Sequence, residues 1–332
     1  MDLGHAIIKG VIQGLTEFLP VSSTAHLVFV DTLARLFGWS TGAGSLREEE
    51  FYDILLHLGT LLAVTFYFRQ ELGQLFRHLA QTLRGGQWSA IDPLFGQLGV
   101  SFIITSVLAL GVVKLSAIVM AAMGWSTPAI QDLSDYYFHT PQWVAIHLVG
   151  TGFLLFWLEK TLHQRDSQTE IQTKIPPANG PASPTQEDSA RVASPWMQRV
   201  TWPQAVAVGV AQGWAAIFHG FSRSGTTMTG GVLAGMDRLT AARYSFLLSI
   251  PTFMAVALYE GIKVFSHGLT AQLDWPVMLL GTVASTVVGY FCVSGFIRYV
   301  AARSLKGFAV YCWAMAALML YLLSVVPVAP AG

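Results

Sequence analysis

The sequence predicts an all-α polytopic membrane protein, and three observations lead to that prediction. Hydrophobic residues make up 53% of the 332 residues and charged residues only 11%, whereas soluble globular chains carry about a quarter charged residues. Several apolar runs reach the roughly 20 residues that a spanning helix needs. Two interrupted apolar segments resemble each other in the two halves of the chain. A chain this apolar cannot hide its surface from water, so its solvent is a bilayer.

Charge and cysteine content exclude several other classes of protein. The formal net charge is zero and Lys and Arg form no long runs, so we expect no nucleic-acid partner. Cys292 and Cys312 both lie in apolar runs, which offers neither a disulfide framework nor a cysteine-based metal site. The N-terminal residues lack a basic leader and a small-residue cleavage site, so we expect no removable signal peptide.

Six apolar segments are predicted to span the membrane, three in each half of the chain. They are residues 51–68, 97–120, 143–159, 244–261, 275–296 and 306–325. A polar stretch rich in Pro, Ser and Gln separates the third span from the fourth, and we interpret residues 161–200 as a flexible linker outside the membrane. The linker divides the chain into a first membrane repeat, 1–160, and a second, 201–332.

Loop charges predict the orientation of these spans. Arg and Lys are concentrated in 69–96, 160–200 and 297–306, while 123–141 has neither and 262–274 has a single lysine. The positive-inside rule places the first three loops in the cytoplasm and the other two outside. The six spans then alternate without conflict, and both termini lie outside.

Two further apolar segments, 6–30 and 205–235, are interrupted by Pro, Gly, Ser, Thr and charged residues. With the orientation above, the second segment must enter and leave on the cytoplasmic side. We therefore predict a re-entrant helical hairpin there, and a counterpart from the outer side for the first segment. Non-helical backbone at this depth is tolerated where it is buried in protein or faces a wet cavity.

The two interrupted segments match at a constant spacing of 199 residues. The run GVIQG at 10–14 corresponds to GVAQG at 209–213, and Ser23 corresponds to Ser222. Because the halves start on opposite sides, the prediction is two inverted-topology repeats, each a re-entrant hairpin plus three spans, a pattern typical of secondary transporters. Chance similarity between two glycine-rich membrane segments is the alternative.

The first interrupted segment reads QGLTEFLPVSSTAH at 13–26. Gln13 and Glu17 are four residues apart and share one face of a helix. Pro20 ends that helix, and three hydroxyl side chains and the imidazole of His26 follow it. Because an ionisable group in hydrocarbon is costly, Glu17 and His26 are candidate functional residues.

The second interrupted segment contains HGFSRSGTT at 219–227. Two glycines bracket Arg223, whose planar guanidinium matches phosphate oxygens, and the flanking serines and backbone N–H groups add donors. This pattern predicts a cradle for an anion. If the repeats pack together, Glu17, Ser23 and His26 face the cradle, which brings a base, a nucleophile and an anion clamp into one pocket.

Each of these features also has a purely structural interpretation. Runs of Ser and Thr join membrane helices by hydrogen bonds, Arg223 can simply neutralise Glu17, and the two repeat-related glutamines can satisfy broken backbone. Asp53 and His57 share a helical face, and we interpret them as a polar contact at a helix entrance rather than as catalytic groups. These interpretations do not explain why the features concentrate in two repeat-related segments.

The sequence resembles the undecaprenyl-diphosphate phosphatase family of the bacitracin-resistance type over nearly the whole chain apart from the linker. The resemblance rests on QGLTEFLPVSSTAHL at 13–27, HLGTLLAV at 57–64, GFSRSGTT at 220–227 and FLLSIP at 246–251. It implies a bacterial plasma-membrane hydrolase that removes the terminal phosphate of undecaprenyl diphosphate. The product is the monophosphate lipid carrier of cell-wall synthesis.

The resemblance also implies a divalent cation, Mg²⁺ or Ca²⁺, and an active site that opens to the outer face. The family's functional residues match Gln13, Glu17, Ser23, His26, Ser222, Arg223 and Thr227. The resulting hypothesis assigns catalysis to Glu17, Ser23, His26 and Arg223. It assigns phosphate binding to Ser22, Ser222, Arg223, Ser224 and Thr227, and cation binding to Gln13 and Glu17. The nucleophile is left open among Ser23, His26 and water.

The sequence departs from the family pattern at a few positions. His219 stands where the family usually has Pro, Ala25 replaces the usual Gly, and Gln13 is the neutral option at a Glu/Gln position. These changes bear on rate and substrate range more than on class. Two rival functions are a transporter that moves polyprenyl phosphate between leaflets and a non-catalytic lipid-binding protein. The oligomeric state, a homodimer included, is left open.

Overall fold

In the computed structural model, the regular secondary structure of the described residues consists of helices with no strand, which confirms the predicted all-α class. The described residues are 2–37, 46–85, 92–123, 140–173, 200–218, 220–266 and 273–325. The helices are α1 (Leu3–Thr16), α2 (Ser23–Leu36), α3 (Leu46–Tyr67), α4 (Arg69–Arg84), α5 (Pro93–Ala122), α6 (Pro141–Thr173), α7 (Trp202–Ile217), α8 (Arg223–Leu233), α9 (Arg238–Ser266), α10 (Trp275–Ala302) and α11 (Lys306–Val325).

Five of these helices are long and apolar enough to cross a membrane. The qualifying stretches are Pro93–Ser116, Pro141–Ser167, Arg238–Tyr259, Trp275–Ala302 and Lys306–Val325. The pair Phe51–Tyr67 and Arg69–Arg84, bent by 74°, gives a sixth when it is counted as one span. Because a soluble protein does not contain this many such helices, the chain is a multi-pass membrane protein.

Two helices extend into regions that the sequence analysis interprets as loop or linker. Helix α4 occupies most of the predicted loop 69–96, and α6 continues to Thr173, past the predicted start of the linker at 161. In α6 the guanidinium of Arg165 donates to the carbonyl of Leu233 at 3.3 Å, which ties this polar extension to α8. A polar composition fits a solvated helix as well as a linker. The rest of the predicted linker, 174–199, lies outside the described residues.

Each interrupted segment consists of two helices separated by a short break. The first break, residues 17–22, joins α1 to α2, and the second, residues 218–224, joins α7 to α8 and includes the first two residues of α8. His219 lies outside the described residues. The breaks contact each other, since the hydroxyl of Ser224 donates to the carbonyl of Leu19 at 3.0 Å. The two sequence-related segments therefore meet inside the protein.

Glycines let the first helix of each interrupted segment approach a long helix from the other half. Helix α1 packs on α10, and α7 packs on α5. A Cβ atom on Gly14 would lie 2.8 Å from the carbonyl oxygen of Ser285, and one on Gly209 would lie 2.8 Å from that of Ser101. Real Cβ atoms do not come this close, so the two contacts require glycine. Both helices thereby lie against the opposite half of the chain.

The core beneath the breaks is apolar and aromatic. Phe18, in the first break, is fully buried, and its ring meets that of Phe246 edge to face at 5.1 Å. Phe246 in turn contacts the ring of Phe296 at 5.9 Å. The three rings come from the first break, α9 and α10. Together they form an apolar layer next to the polar residues of the breaks and exclude water there.

Candidate functional site

Both breaks face a single cavity of about 320 Å³, within the size range of small-molecule sites. The first half of the chain lines it with Glu17, Ser22, Ser23, Thr24, Asp53, Ile54, His57 and Thr105. The second half lines it with Gln212, Ala215, Ala216, Phe221, Ser222, Arg223, Thr252, Phe253, Val256 and Ala257. The wall is therefore polar near the breaks and mainly apolar along α7 and α9, where Gln212 and Thr252 are its polar residues.

An ion pair between Glu17 and Arg223 joins the two breaks. The Arg223 Nη2 atom lies 2.7 Å from Glu17 Oε1, and its Nη1 donates to the carbonyl of Ser245 at 3.3 Å. The guanidinium also lies over the ring of Phe253, 4.7 Å from its centroid. Glu17 is only 6% exposed. Because burying an unpaired carboxylate costs several kcal/mol, the ion pair with Arg223 offsets the burial of Glu17.

The second carboxylate oxygen of Glu17 accepts two hydrogen bonds and lies near a histidine. Ser23 donates its hydroxyl to Oε2 at 2.7 Å, and Gln13 donates its Nε2 to the same oxygen at 2.9 Å. The Nε2 atom of His57 is 3.5 Å away. A hydroxyl held on a buried carboxylate has the geometry of a nucleophile and its base. Glu17 therefore contacts both Arg223, the predicted anion clamp, and Ser23, the predicted nucleophile.

The chain turns into α2 through a backbone conformation that L-residues rarely adopt. Ser22 has φ of 66°, and such a residue costs about 1–3 kcal/mol. Its carbonyl accepts from the ring Nδ1 of His26 at 2.8 Å, and its hydroxyl accepts from the backbone N–H of Ala25 at 3.3 Å. This turn presents Ser22, Ser23 and Thr24 at the start of α2 to the cavity.

The second break directs the N-terminus of α8 at the same cavity. Ser222 caps the helix, with its hydroxyl accepting from the backbone N–H of Gly225 at 3.2 Å, while its own N–H donates to Thr151 at 3.0 Å. Phe221, Ser222 and Arg223 all line the cavity. A helix N-terminus carries positive potential and unpaired N–H groups, so this end of α8 favours an anion.

Four predicted site residues do not line the cavity: Gln13, which donates to Glu17, and Ser224, Thr227 and His26. The hydroxyl of Ser224 is donated to the carbonyl of Leu19, and that of Thr227 to the carbonyl of Arg223 at 2.7 Å. His26 donates its Nδ1–H to a carbonyl, so its Nε2 accepts the hydroxyl of Tyr311 at 2.7 Å. Ser224 and His26 therefore hold the shape of the first break, while Thr227 bonds within the first turn of α8.

The sequence analysis missed several residues of the cavity wall, among them Thr105, Gln212 and Thr252. Asp53 and His57 also line it, and His57 approaches Glu17, so their interpretation as a helix-entrance contact is incomplete. The four-residue spacing of Asp53 and His57 was the available signal. For Gln212 the signal was its match to the glutamine at position 13.

A second charged cluster lies behind the cavity wall. Lys9 is 1% exposed, and its Nζ lies 2.8 Å from Asp53 Oδ1 and 3.3 Å from Asp31 Oδ2. His5 contacts the same Asp31 at 3.2 Å. The cluster links α1, α2 and α3 by charge and fixes Asp53 at the wall. A lysine within an apolar helix was the sequence signal for it.

The fold and the contacts of Glu17 with Arg223 and Ser23 define a polytopic membrane protein with a polar site enclosed between its helices. The chain matches the bacitracin resistance protein BacA family over residues 6–318, and it belongs to that family. It is 32% identical to an undecaprenyl-diphosphatase of Nitrosococcus oceani over 98% of this chain and 100% of that protein. It is 30% identical to an undecaprenyl-diphosphatase of Chlorobium chlorochromatii over 94% of this chain and 93% of that protein. The resemblance found in the motifs is confirmed.

Proposed function

We propose that the protein hydrolyses undecaprenyl diphosphate to undecaprenyl phosphate and inorganic phosphate. This activity recycles the lipid carrier for cell-wall synthesis and confers bacitracin resistance. The proposal draws on the family and on relatives that are named undecaprenyl-diphosphatase. The single observation that supports it most is the contact of Glu17 with both Arg223 and Ser23 at one cavity.

Phosphate binding is assigned to the second break and the start of α2. Arg223 offers a guanidinium fork at the cavity, and the α8 N-terminus adds backbone N–H groups near Ser222. Ser22 and Ser23 add hydroxyls from the opposite side. Phosphoryl transfer depends mainly on positioning and on charge stabilisation, and these groups supply both.

Ser23 is the proposed nucleophile, with Glu17 as its base. As the Ser23 oxygen attacks the terminal phosphorus, its proton passes to Glu17 Oε2, which already accepts it in a hydrogen bond. The bond from phosphorus to the bridging oxygen breaks, and the lipid monophosphate leaves. Water then hydrolyses the phosphoserine. A water held by Ser23 in place of direct attack is the alternative. His26 supports either route by holding the Ser22 carbonyl.

A divalent cation, Mg²⁺ or Ca²⁺, fits the residues next to Glu17. Among the described residues no three His, Cys, Asp or Glu side chains converge on one point, but the buried Oε1 of Gln13 lacks a partner beside the carboxylate. Mg²⁺ is usually held by one or two carboxylates and by substrate phosphates. Gln13 and Glu17 would hold the cation, which would neutralise charge on the phosphates.

The inverted repeat is part of the proposal. Its support is the reciprocal packing of α1 on α10 and of α7 on α5, each through repeat-related glycines. We assign both interrupted segments to re-entrant hairpins and the cavity to the outer face of a bacterial plasma membrane. The same repeat favours a second candidate function, transport of polyprenyl phosphate between leaflets, because inverted repeats are typical of transporters.

Phosphate release by the purified protein in detergent tests the proposal. A long-chain polyprenyl diphosphate is supplied with Mg²⁺ or Ca²⁺, and then with excess chelator. We expect cation-dependent release that Glu17→Ala and Arg223→Ala both abolish. Absence of release from folded protein that still binds the lipid contradicts the phosphatase and favours the transporter.

A further inference from the structure

Gln212 lines the cavity from α7 with its side-chain amide held in one orientation. Its Nε2 donates to the hydroxyl oxygens of Thr105 at 3.2 Å and Thr252 at 3.0 Å. Both hydroxyls already donate their own hydrogens to backbone carbonyls. The two threonine oxygens can therefore only accept a further hydrogen bond. If the Gln212 amide were flipped, its carbonyl oxygen, which also only accepts, would face them. The carbonyl oxygen Oε1 is the uncommitted end of Gln212.

This oxygen is buried and has no donor within the described part of the chain. Gln212 is only 1% exposed, and a buried acceptor left unpaired costs about 1–3 kcal/mol. Its repeat counterpart, Gln13, has the same character, with Nε2 donated to Glu17 and Oε1 unpartnered. Each half of the molecule thus has one buried amide oxygen without a donor, and Gln212 is the one of the two glutamines that lines the cavity.

The charges around the cavity also favour a cation. Arg223 is the one permanently cationic side chain among the described lining residues, and Glu17 already pairs with it. Lys9, behind the wall, contacts both Asp53 and Asp31. The wall therefore carries no surplus positive charge to offset a diphosphate, and burying two phosphates without such an offset is unfavourable.

We propose that Gln212 supplies Oε1 as a ligand to the divalent cation that accompanies the diphosphate. This inference rests on the proposed phosphatase function and extends the cation site of Gln13 and Glu17 to the opposite half of the molecule. Amide and carboxylate oxygens together with phosphate oxygens form the ligand set that Mg²⁺ and Ca²⁺ prefer. Gln13 and Glu17 from the first half of the chain and Gln212 from the second would then hold the cation together.

Mn²⁺ binding to the purified full chain, followed by electron paramagnetic resonance, tests the inference without relying on turnover. Binding is measured with Mn²⁺ alone and with Mn²⁺ plus methylenediphosphonate. Gln212→Leu keeps the side-chain size but removes the oxygen, and we expect at least about tenfold weaker binding. Gln212→Glu, which keeps an oxygen and adds charge, is expected to bind Mn²⁺ more tightly than the wild type.

Gln97→Leu is the matched control. Gln97 is also buried, donates its Nε2 to the carbonyl of Val200 at 2.8 Å and has an unpartnered Oε1, but it does not line the cavity. Its Mn²⁺ affinity is expected to equal that of the wild type. Unchanged affinity in Gln212→Leu, an equal loss in Gln97→Leu, or weaker binding by Gln212→Glu overturns the inference.

The outcome is separable from that of the proposed function. Phosphate release by the wild type together with unchanged Mn²⁺ affinity in Gln212→Leu keeps the phosphatase and removes the ligand role. Selective loss of Mn²⁺ in Gln212→Leu, with no phosphate release by the wild type, keeps the cation site and overturns the phosphatase.

Discussion

The two breaks have a similar helix–break–helix arrangement, but they carry opposite charges. Both end a short helix and begin another at the cavity, and the two contact each other. The first break contributes the carboxylate of Glu17, and the second contributes the guanidinium of Arg223. They also turn differently, because Ser22 has φ of 66° while Ser222, which caps α8, has φ of −63°.

This difference shows how two related segments make one site. Neither charge is stable alone at this depth, since an unpaired buried charge costs several kcal/mol. Packing the halves together pairs the charges, and the remaining oxygen of Glu17 stays available to the hydroxyl of Ser23. Glu17 and Arg223 therefore stabilise each other, although they lie far apart in the sequence.

The largest expected effect comes from Arg223→Lys, which keeps the charge but removes the planar fork. We expect phosphate release to fall about 10³-fold, because a point charge cannot both clamp phosphate and hold Glu17. Arg238→Lys is the control, since Arg238 forms a similar ion pair with Glu159 at 3.1 Å away from the cavity. If Arg223→Lys and Arg238→Lys release phosphate at equal rates per folded molecule, the role of Arg223 as the phosphate clamp is contradicted.

The repeat-related serines give the next prediction. Ser23→Ala removes the hydroxyl on Glu17, and we expect turnover to fall by 10²-fold or more with little change in stability. Ser222→Ala removes a helix cap and is expected to lower the unfolding free energy by about 1 kcal/mol. Turnover and thermal unfolding in detergent are measured for both. Near-normal turnover in Ser23→Ala rules out the serine nucleophile.

The repeat-related glycines test the packing of the two halves. A Cβ on Gly14 meets backbone of α10, with the Ser285 oxygen at 2.8 Å, whereas one on Gly213 meets the side chain of Leu108 at 2.9 Å. Gly14 would meet two backbone atoms, the Ser285 oxygen and the Gly289 nitrogen. By contrast, of the two Leu108 atoms at 2.9 Å from Gly213, the Cδ1 can rotate away and only the Cβ is fixed. We expect Gly14→Ala to destabilise by about 1–3 kcal/mol and Gly213→Ala by less, as measured by thermal unfolding. The reverse order contradicts the described packing of α1.

The smallest expected effect concerns the turn at Ser22. Ser22→Gly relieves the strained φ but also removes the weak hydrogen bond from the Ala25 N–H to the Ser22 hydroxyl. We therefore expect the free energy of unfolding to rise by at most about 1 kcal/mol. Ser222→Gly has no such strain to relieve and is expected to lower stability slightly. A shift of the same sign and size in both variants would show that the breaks do not differ in strain.

Composition and the lengths of the apolar runs allowed prediction of the fold class, and short motifs singled out Glu17, Ser23 and Arg223, which the structure brings into contact. Side-chain direction could not be predicted, because it depends on contacts distant in sequence. His26 turns to Tyr311 on α11, and that pairing follows from tertiary packing. Lys9 was missed because one lysine in an apolar segment does not reveal its partners. The helical extension of α6 was missed because polar composition alone does not separate a solvated helix from a linker.

A double-mutant cycle on the pair that joins the two breaks tests the central claim most directly. Phosphate release is measured for the wild type, Glu17→Gln, Arg223→Gln and the double variant. If both residues serve one site, the double variant is expected to lose no more activity than the more damaged single variant. Losses that multiply in the double variant would show that the two breaks act independently and would contradict the account.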